Sequence, residues 1–250
     1  MYSLNGKIVI VTGASEGIGA SLVTALHAKG ATLALVARTE ARLRERASPG
    51  DIVIAGDLTD QAFRESIVPT ALARCGRIDV LINNAGRGSY YSACDTPLPE
   101  ARALFELNFF APFHLVQLAA PYLREAQGTI VNVSSIAGQI SLPWLPLYSA
   151  SKFALASLTS TQRMELRRAG VHVMGVFPGY VNTGFQDNAA GAKPPDAIVK
   201  GKKYAVTPEQ CAAAIVAGIE QRRLNVITPS AGRYLVLIAR LFPNYFESRF

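Results

Sequence analysis

VTGASEGIG (residues 11–19) joins an apolar run to a segment in which apolar residues recur at helical spacing. Its three glycines, Gly13, Gly17 and Gly19, allow the backbone to turn sharply and to come close to a ligand. The N–H groups at the start of the helix, together with the helix dipole, favour a pyrophosphate at this turn. The glycine spacing differs from G-x-G-x-x-G, so a tight strand–helix turn without a ligand is the alternative.

Apolar runs of β-rich composition recur along the chain after this turn. They are almost continuously apolar, which is typical of parallel strands covered on both faces. Segments 20–30 and 152–170 have helical apolar spacing and end near a glycine. The alternation predicts one α/β domain over residues 1–250, a doubly wound parallel sheet of about seven strands with helices on both faces. The predicted strands are KIVIV (7–11), TLALVA (32–37), DIVIAG (51–56), IDVLINN (78–84), GTIVNVSS (128–135), VHVMGVF (171–177) and NVIT (225–228).

Two segments depart from this alternation. Residues 184–208 are the largest irregular stretch, and a loop of that length predicts a lid or substrate loop. TPEQ (207–210), at its end, has the capping residues of a helix start. Residues 230–250 are a C-terminal amphipathic extension, for which we weigh an interfacial membrane helix, a dimer contact, a lid over the substrate pocket and packing on the protein body.

The composition narrows the class of protein. Half of the 250 residues are hydrophobic and 17% are charged, which excludes a disordered chain. The net charge of +7 suits an anionic ligand or an acidic membrane surface, but the basic residues are dispersed and we expect no nucleic-acid partner. The cysteines and histidines are isolated, so we predict no metal site. No secretory signal opens the chain and no run reaches the ~18 apolar residues of a bilayer span, so we expect a cytoplasmic protein.

The end of the second predicted strand bears on the choice of dinucleotide. An acidic residue there would bind the adenosine ribose hydroxyls and repel a 2′-phosphate. The chain instead has Arg38 followed by Thr39, and a guanidinium pairs well with phosphate. Glu16 in the glycine turn adds negative charge near the same place. We therefore expect NADP(H), and NAD(H) stays open.

YSASK (148–152) places a tyrosine four residues before a lysine. On a helix, Tyr148 and Lys152 share a face with about 5–6 Å between their Cβ atoms. A nearby ammonium favours phenolate and is expected to lower the pKa of Tyr148, which suits proton transfer to or from a substrate oxygen. A surface pair on a helix is the alternative.

With TGASEGIG, NNAG (83–86), NVSS (132–135) and YSASK present in this order, the chain resembles the short-chain dehydrogenase/reductase family from about residue 5 to about residue 185. The resemblance implies a Rossmann-like sheet of seven strands and NAD(P)(H)-dependent oxidoreduction of an alcohol/carbonyl pair. It also implies a catalytic set of Asn108, Ser135, Tyr148 and Lys152, with Tyr148 as the acid/base. The cofactor contacts expected from the motifs are Thr12, Gly13, Ser15, Gly17, Ile18, Gly19, Arg38, Thr39, Asp57, Leu58, Asn83, Asn84, Ala85, Gly86, Tyr148, Lys152, Pro178, Gly179, Val181 and Thr183.

Loops around the expected nicotinamide end are rich in apolar and aromatic residues, which predicts a hydrophobic or extended substrate, with packing of the loops alone as the alternative. The predicted pocket residues are Ser135, Trp144, Leu145, Tyr180 and Phe185. We expect an NADP(H)-dependent oxidoreductase acting on an alcohol and a ketone or aldehyde, and a non-catalytic dinucleotide-binding regulator is the alternative. The resemblance implies a homodimer through helices at 102–126 and 152–170, and residues 230–250 leave peripheral membrane contact open.

Overall fold

The computed structural model describes residues 1–191 and 205–249. Strands and helices alternate through most of the chain. The strands are β1 (Ile8–Thr12), β2 (Thr32–Ala37), β3 (Ile52–Ala55), β4 (Val80–Asn83), β5 (Ser89–Tyr90), β6 (Thr129–Val133), β7 (His172–Pro178), β8 (Ala190–Gly191) and β9 (Asn225–Thr228). The α-helices are α1 (Gly17–His27), α2 (Glu40–Arg44), α3 (Gln61–Cys75), α4 (Leu98–Phe105), α5 (Ala111–Glu125), α6 (Pro146–Leu166), α7 (Pro208–Glu220), α8 (Gly232–Leu241) and α9 (Pro243–Glu247).

Seven of these strands form one sheet in the order β3-β2-β1-β4-β6-β7-β9, and every pairing in it is parallel. Each predicted apolar run coincides with one of the seven strands to within one or two residues at either end, so the predicted fold class is confirmed. The order reverses between β1 and β4, and this is where a crevice opens outside the carboxyl ends of the strands in such folds.

The sheet is covered on both faces, which explains the nearly continuous apolar runs. In β1, Val9 and Val11 pack in the same cluster as α1 and α7, whereas Ile10 packs on the other face with α3, α5 and α6. All three side chains are fully buried. Because neighbouring residues of a strand point to opposite faces, a buried strand of this kind needs apolar residues at every position.

Local sequence signals set several helix ends. Asp60 caps α3 by accepting a hydrogen bond from the N–H of Ala62 at 2.9 Å. The predicted capping box is present at α7, where Thr207 and Gln210 exchange side-chain to backbone hydrogen bonds. The helix predicted at 152–170 begins earlier, at Pro146, and ends with a 3₁₀ turn before Gly170.

Residues Leu98–Glu125 form a continuous helical stretch in which a π-turn (Glu106–Phe110) separates α4 from α5. With 28 residues and a mean hydropathy of 1.2 over its most apolar window, the stretch is long and apolar enough to cross a membrane. Its residues Leu115, Ala119 and Leu123 are buried against the sheet. This packing is that of a core helix in an α/β fold.

The irregular stretch predicted at 184–208 is described only at its ends. Residues 184–191 finish with β8, which pairs with β5 in a separate two-stranded sheet. Val206 forms a bridge with Val181 before α7 begins. The middle of the predicted loop, 192–204, lies outside the described residues.

A buried carboxylate fastens the sheet at the edge opposite the crevice. Asp79 accepts hydrogen bonds from the backbone N–H of Ile8 at 3.0 Å, from Lys7 at 3.1 Å and from Arg77. Burial alone would raise the pKa of Asp79, but these three hydrogen bonds and the charge of Lys7 lower it below its ordinary value. The carboxylate therefore ties the start of β1 to the start of β4.

We expect Asp79→Asn to lower the free energy of unfolding by about 1–3 kcal/mol at neutral pH, because buried donors lose a charged acceptor. Since the folded-state pKa is lowered, the stabilisation is present above the unfolded value and is lost as the pH falls through the folded value. Urea denaturation at neutral pH and near pH 3 measures both effects. Glu125→Gln, on the exposed end of α5, is the control. A destabilisation as large near pH 3 as at neutral pH would contradict the account.

Candidate active site

A single hydroxyl connects the ends of β1 and β4 at the crevice. Thr12 Oγ1 accepts hydrogen bonds from the N–H groups of Asn84 and Ala85, both at 3.0 Å, and donates to the Ile82 carbonyl at 3.3 Å. Asn84 Nδ2 reaches back to the carbonyls of Thr12, at 2.9 Å, and Gly13. The glycine turn and the NNAG segment are thereby held together as one wall of the crevice.

The glycine turn has no room for a side chain where the start of α1 packs against the backbone of Gly13. Gly13 has φ +66°, and a Cβ on Gly19 would lie 1.8 Å from the Gly13 carbonyl oxygen. Glu16 precedes α1 in an extended conformation and makes no side-chain hydrogen bond to the first N–H groups of the helix. An uncapped helix start beside a close-packed glycine turn fits the pyrophosphate of a dinucleotide.

The charges around the end of β2 differ from the sequence expectation in one respect. Glu16 does not stand alone, because its Oε2 lies 2.9 Å from Arg42 Nη1 of α2. Arg38 is exposed just beyond β2, and its positive charge acts on Asp57. Burial raises the pKa of Asp57, but hydrogen bonds from Thr59 and the charge of Arg38 outweigh burial and lower it. The negative charge of Glu16 is therefore balanced within this region.

Tyr148 and Lys152 lie on the buried side of α6, with Lys152 Nζ 6.0 Å from the centre of the Tyr148 ring. Lys152 Nζ donates to the Val133 carbonyl at the end of β6, at 3.0 Å. Ser135 follows that strand, and its hydroxyl accepts from the N–H of Ala137 and lies 3.4 Å from the Pro178 carbonyl. Tyr148, Lys152 and Ser135 are 9%, 3% and 8% exposed, which rules out the surface-pair alternative.

Burial dominates the proton affinities of this pair. It raises the pKa of Tyr148 to about 12, against the lowering effect of a hydrogen bond with Ser135. Burial also lowers the pKa of Lys152 to about 8. The expectation that the ammonium lowers the pKa of Tyr148 was wrong for this arrangement, because burial raises that pKa and only the hydrogen bond with Ser135 acts in the opposite direction. The phenol therefore stays protonated near neutral pH, the state that can donate a proton.

Asn108 lies in the π-turn, and its side chain is fully engaged. Its Oδ1 accepts from the N–H of Arg87 at 3.0 Å, and its Nδ2 donates to the Arg87 carbonyl at 3.0 Å and to Ser151 at 3.2 Å. A Cβ on Gly86 would lie 3.1 Å from Asn108 Oδ1 and 3.2 Å from Lys152 Nζ. Asn108 thus holds the residues after NNAG close to Lys152.

The two asparagines of NNAG have different surroundings. Asn84 belongs to the crevice wall, whereas Asn83 is buried and donates to Asn132 Oδ1 of β6 at 2.9 Å. Asn132 in turn donates to Thr159 and Gln162 of α6, both at 3.0 Å. We call these four side chains the amide ladder. It faces the sheet and α6, so Asn83 is placed to hold the fold, not to line the cofactor cleft.

The segment after β7 returns to the glycine turn. The N–H of Gly179 donates to the Thr228 carbonyl at 2.8 Å, and Val181 packs against the core under α1. Thr183 lies beside Gly17, with its methyl carbon 3.2 Å from where a Cβ would be. Asn188 reaches Glu16 at 3.3 Å. The segment therefore closes over the start of α1.

The remaining expected cofactor contacts lie at the same edge of the sheet. The Ser15 carbonyl accepts from Arg46 at 2.9 Å, and Thr39 is exposed immediately before α2. Ile18 is half-buried against the core, and Leu58 is buried on the other face of the sheet. These residues follow the carboxyl ends of β1, β2 and β3, and their contact with a cofactor stays a prediction.

An apolar cluster surrounds Tyr148. Leu145 is buried in it, Tyr180 and Phe185 pack against it, and the Phe185 ring centre is 5.7 Å from that of Tyr148. Trp144 is the exception among the predicted pocket residues. It is 45% exposed and lines a separate groove of about 560 Å³ with Phe153 and Phe246.

Sequence reasoning missed Tyr90. It is buried in the cluster, and its proximity helps to raise the pKa values of both Tyr148 and Tyr180, after the larger effect of burial. Its position depends on the pairing of β5 with β8, two strands of two residues each. The only signal in the sequence is its place in the aromatic stretch GRGSYYS (86–92).

Comparisons with known proteins agree with this geometry. The family model described as short chain dehydrogenase matches residues 7–193. The chain is 34% identical to an Arabidopsis thaliana 11-beta-hydroxysteroid dehydrogenase-like protein 4A, over 98% of this chain and 84% of that protein. A crystal structure of a Burkholderia cenocepacia J2315 short chain dehydrogenase in complex with NADP is 27% identical, with a TM-score of 0.82 over 99% of this chain and 98% of that chain.

A Burkholderia phymatum short chain dehydrogenase/reductase in complex with NAD has a TM-score of 0.88 over 98% of this chain and 96% of that chain. At 24% identity, this likeness shows the fold alone. The family match covers most of the chain and, with the dehydrogenase relatives, supports NAD(P)-dependent oxidoreduction of an alcohol or carbonyl group. The chain therefore belongs to the short-chain dehydrogenase/reductase family of NAD(P)-dependent oxidoreductases.

Proposed function

We propose that the protein is an NADP(H)-dependent oxidoreductase that interconverts an alcohol and a ketone or aldehyde on a hydrophobic substrate, with Tyr148 as the acid/base. The observation that carries the proposal is a buried phenol beside Ser135 and Lys152 in an otherwise apolar cluster. Such a surrounding excludes water, and its few polar groups lie together, where they can orient one polar group of an otherwise apolar substrate. The apolar substrate also agrees with the steroid dehydrogenase-like name of the Arabidopsis relative.

The roles of the side chains follow from the charge that develops on the substrate oxygen. The nicotinamide dinucleotide, when bound, supplies or accepts the hydride. Ser135 holds the substrate oxygen by a hydrogen bond, and the protonated phenol of Tyr148 gives that oxygen its proton in the reductive direction. Lys152, protonated at neutral pH, stabilises the phenolate left behind. In the oxidative direction the same groups act in reverse.

The preference for NADP(H) is proposed from the charges at the end of β2. Arg38 is exposed at the position that faces the adenosine ribose in this fold class. Glu16, the residue that argued against a phosphate here, is paired with Arg42. Arginine binds phosphate through charge-assisted hydrogen bonds.

We further propose a homodimer through the helical stretches at 102–126 and 152–170. Phe110 and Met164 are large hydrophobic residues on these stretches that are 47% and 70% exposed. Phe109 stacks on Phe113 with ring centres 6.4 Å apart, so the first stretch presents an ordered aromatic surface. An exposed apolar surface of this kind is typical of interfaces between identical subunits.

We expect Tyr148→Phe to lower kcat/KM about 10²–10⁴-fold on any substrate found in a panel of apolar ketones and alcohols, because the proton donor is lost. Binding of NADPH, followed by its fluorescence, should change little, since the ring is kept. Tyr122→Phe on α5 is the matched control. Full turnover by Tyr148→Phe would overturn the mechanism. NADPH binding without turnover of any substrate by the unmodified protein would favour the regulator alternative.

We expect kcat/KM for reduction to fall as the pH rises through about 8, because Lys152 loses its positive charge there while Tyr148 keeps its proton. A pH–rate profile with NADPH measures the fall. Lys152→Arg, which keeps the charge, should move the fall to higher pH, whatever its effect on the maximal rate. A rate that stays constant well above pH 9 in the unmodified protein would count against the role of Lys152.

We expect Arg38→Asp to weaken NADP⁺ binding about 10–100-fold and to change NAD⁺ binding much less, because a charged hydrogen bond to the 2′-phosphate is replaced by repulsion. Dissociation constants for both dinucleotides, measured by titration calorimetry, give the ratio. Arg168→Asp, exposed beyond the far end of α6, is the control for a simple change in net charge. Equal affinity of the unmodified protein for both dinucleotides would remove the proposed preference.

A further inference from the structure

The C-terminal helices expose an unusual share of the large hydrophobic side chains. Seven of the fourteen that are exposed in the described residues lie between positions 234 and 245. They are Tyr234, Leu235, Leu237, Ile238, Leu241, Phe242 and Tyr245, and each is at least 42% exposed. Clustered exposure of this kind marks an interaction surface, whereas single exposed hydrophobic residues are ordinary.

The apolar side of α8 faces away from the protein. Tyr234, Leu237, Ile238 and Leu241 follow the i, i+3, i+4, i+7 spacing of one helix face. Val236 is the buried residue of this helix, and at 3.6 residues per turn it lies on nearly the opposite side. We call the exposed side the C-terminal ridge, defined as Tyr234, Leu237, Ile238, Leu241, Phe242 and Tyr245. The expectation that this segment packs on the protein body therefore holds only for the side of α8 that carries Val236.

Positive charge borders the ridge. Residues 230–250 contain three arginines and a single acidic residue, Glu247. The guanidinium of Arg233 lies 4.8 Å from the ring centre of Tyr234, and Arg249 has the same distance to Tyr245. Both arginines also donate to the hydroxyl of the adjacent tyrosine at 3.0 Å. Arginine and tyrosine side by side at the rim of an apolar surface suit the boundary between acyl chains and lipid headgroups.

We propose that the C-terminal ridge docks on the surface of an anionic lipid bilayer. Charge complementarity favours a bilayer over a second copy of the chain. If two ridges faced each other, the three arginines of each segment would repel those of the other, and each segment has only Glu247 to offset them. A bilayer instead offers acyl chains to the ridge and lipid phosphates to Arg233 and Arg249. With ten residues, α8 is only about 15 Å long, too short to span a bilayer, so it lies in the plane of the interface. This docking does not rest on the proposed reaction.

Vesicle sedimentation with the full chain tests the proposal. We expect the protein to sediment with vesicles containing phosphatidylserine and phosphatidylcholine, and to do so less with phosphatidylcholine alone. The double variant Leu237→Glu/Leu241→Glu should lower the partition coefficient about tenfold or more, because two carboxylates enter the apolar layer. Leu98→Glu is the matched control, since Leu98 is 61% exposed at the start of α4 and is not part of the ridge. The substituted leucines are exposed, so circular dichroism should show all variants folded.

The charge contribution has its own variant. Arg233→Gln/Arg249→Gln should reduce the preference for phosphatidylserine while leaving most of the binding to the apolar layer. Added salt should have the same effect on the unmodified protein. The proposal is overturned if the unmodified protein does not sediment with anionic vesicles, or if the double leucine variant sediments as well as Leu98→Glu. A change in oligomeric state caused by the leucine variant, measured by light scattering, without vesicle binding would assign the ridge to contact between copies instead.

Discussion

The Thr12 hydroxyl is the point on which the cleft depends. It bonds to three backbone groups at once and is almost fully buried, so its loss would leave two N–H groups without an acceptor. These bonds join the glycine turn after β1 to the segment after β4, at the place where the strand order reverses. Three residues further on, the backbone of Arg87 is hydrogen-bonded to Asn108 of the π-turn. This contact keeps Gly86 beside Lys152. The glycine turn, Asn108 and Lys152 are thus connected by a continuous series of contacts.

Burial shapes the chemistry as much as the identity of the residues. It acts on Tyr148 and Lys152 in opposite senses, raising one pKa and lowering the other, because each group loses the water that would stabilise its charge. The hydrogen bond with the Ser135 hydroxyl partly offsets the effect of burial on the pKa of Tyr148. A site of this kind holds its proton firmly until a charged ligand or a developing oxyanion changes the local field.

The sheet and the motif residues could be predicted from the chain because their signals are local. Buried parallel strands require continuous apolar runs, and all their carboxyl ends meet at one edge, so motifs that follow strands converge. The sequence could not distinguish the roles of Asn83 and Asn84. Neighbouring residues at the end of a strand point in different directions, and the exact end of β4 decides which of the two faces the cleft. Trp144 and Tyr90 were similarly ambiguous, because their places depend on how two loops pair. The effect of burial on Tyr148 required knowledge of what packs around it.

The amide ladder has a consequence for how such a protein can diversify. Its hydrogen bonds from Asn83 through Asn132 to Thr159 and Gln162 hold α6 on β4 and β6 without using the loops around Tyr148. Leu145, Tyr180 and Phe185, which pack around Tyr148, take no part in these hydrogen bonds, so their substitution would leave the amide ladder in place. The side chains that surround Tyr148 and those that hold its helix on the sheet are thus separate sets, so the shape of the pocket can change while the helix keeps its anchorage.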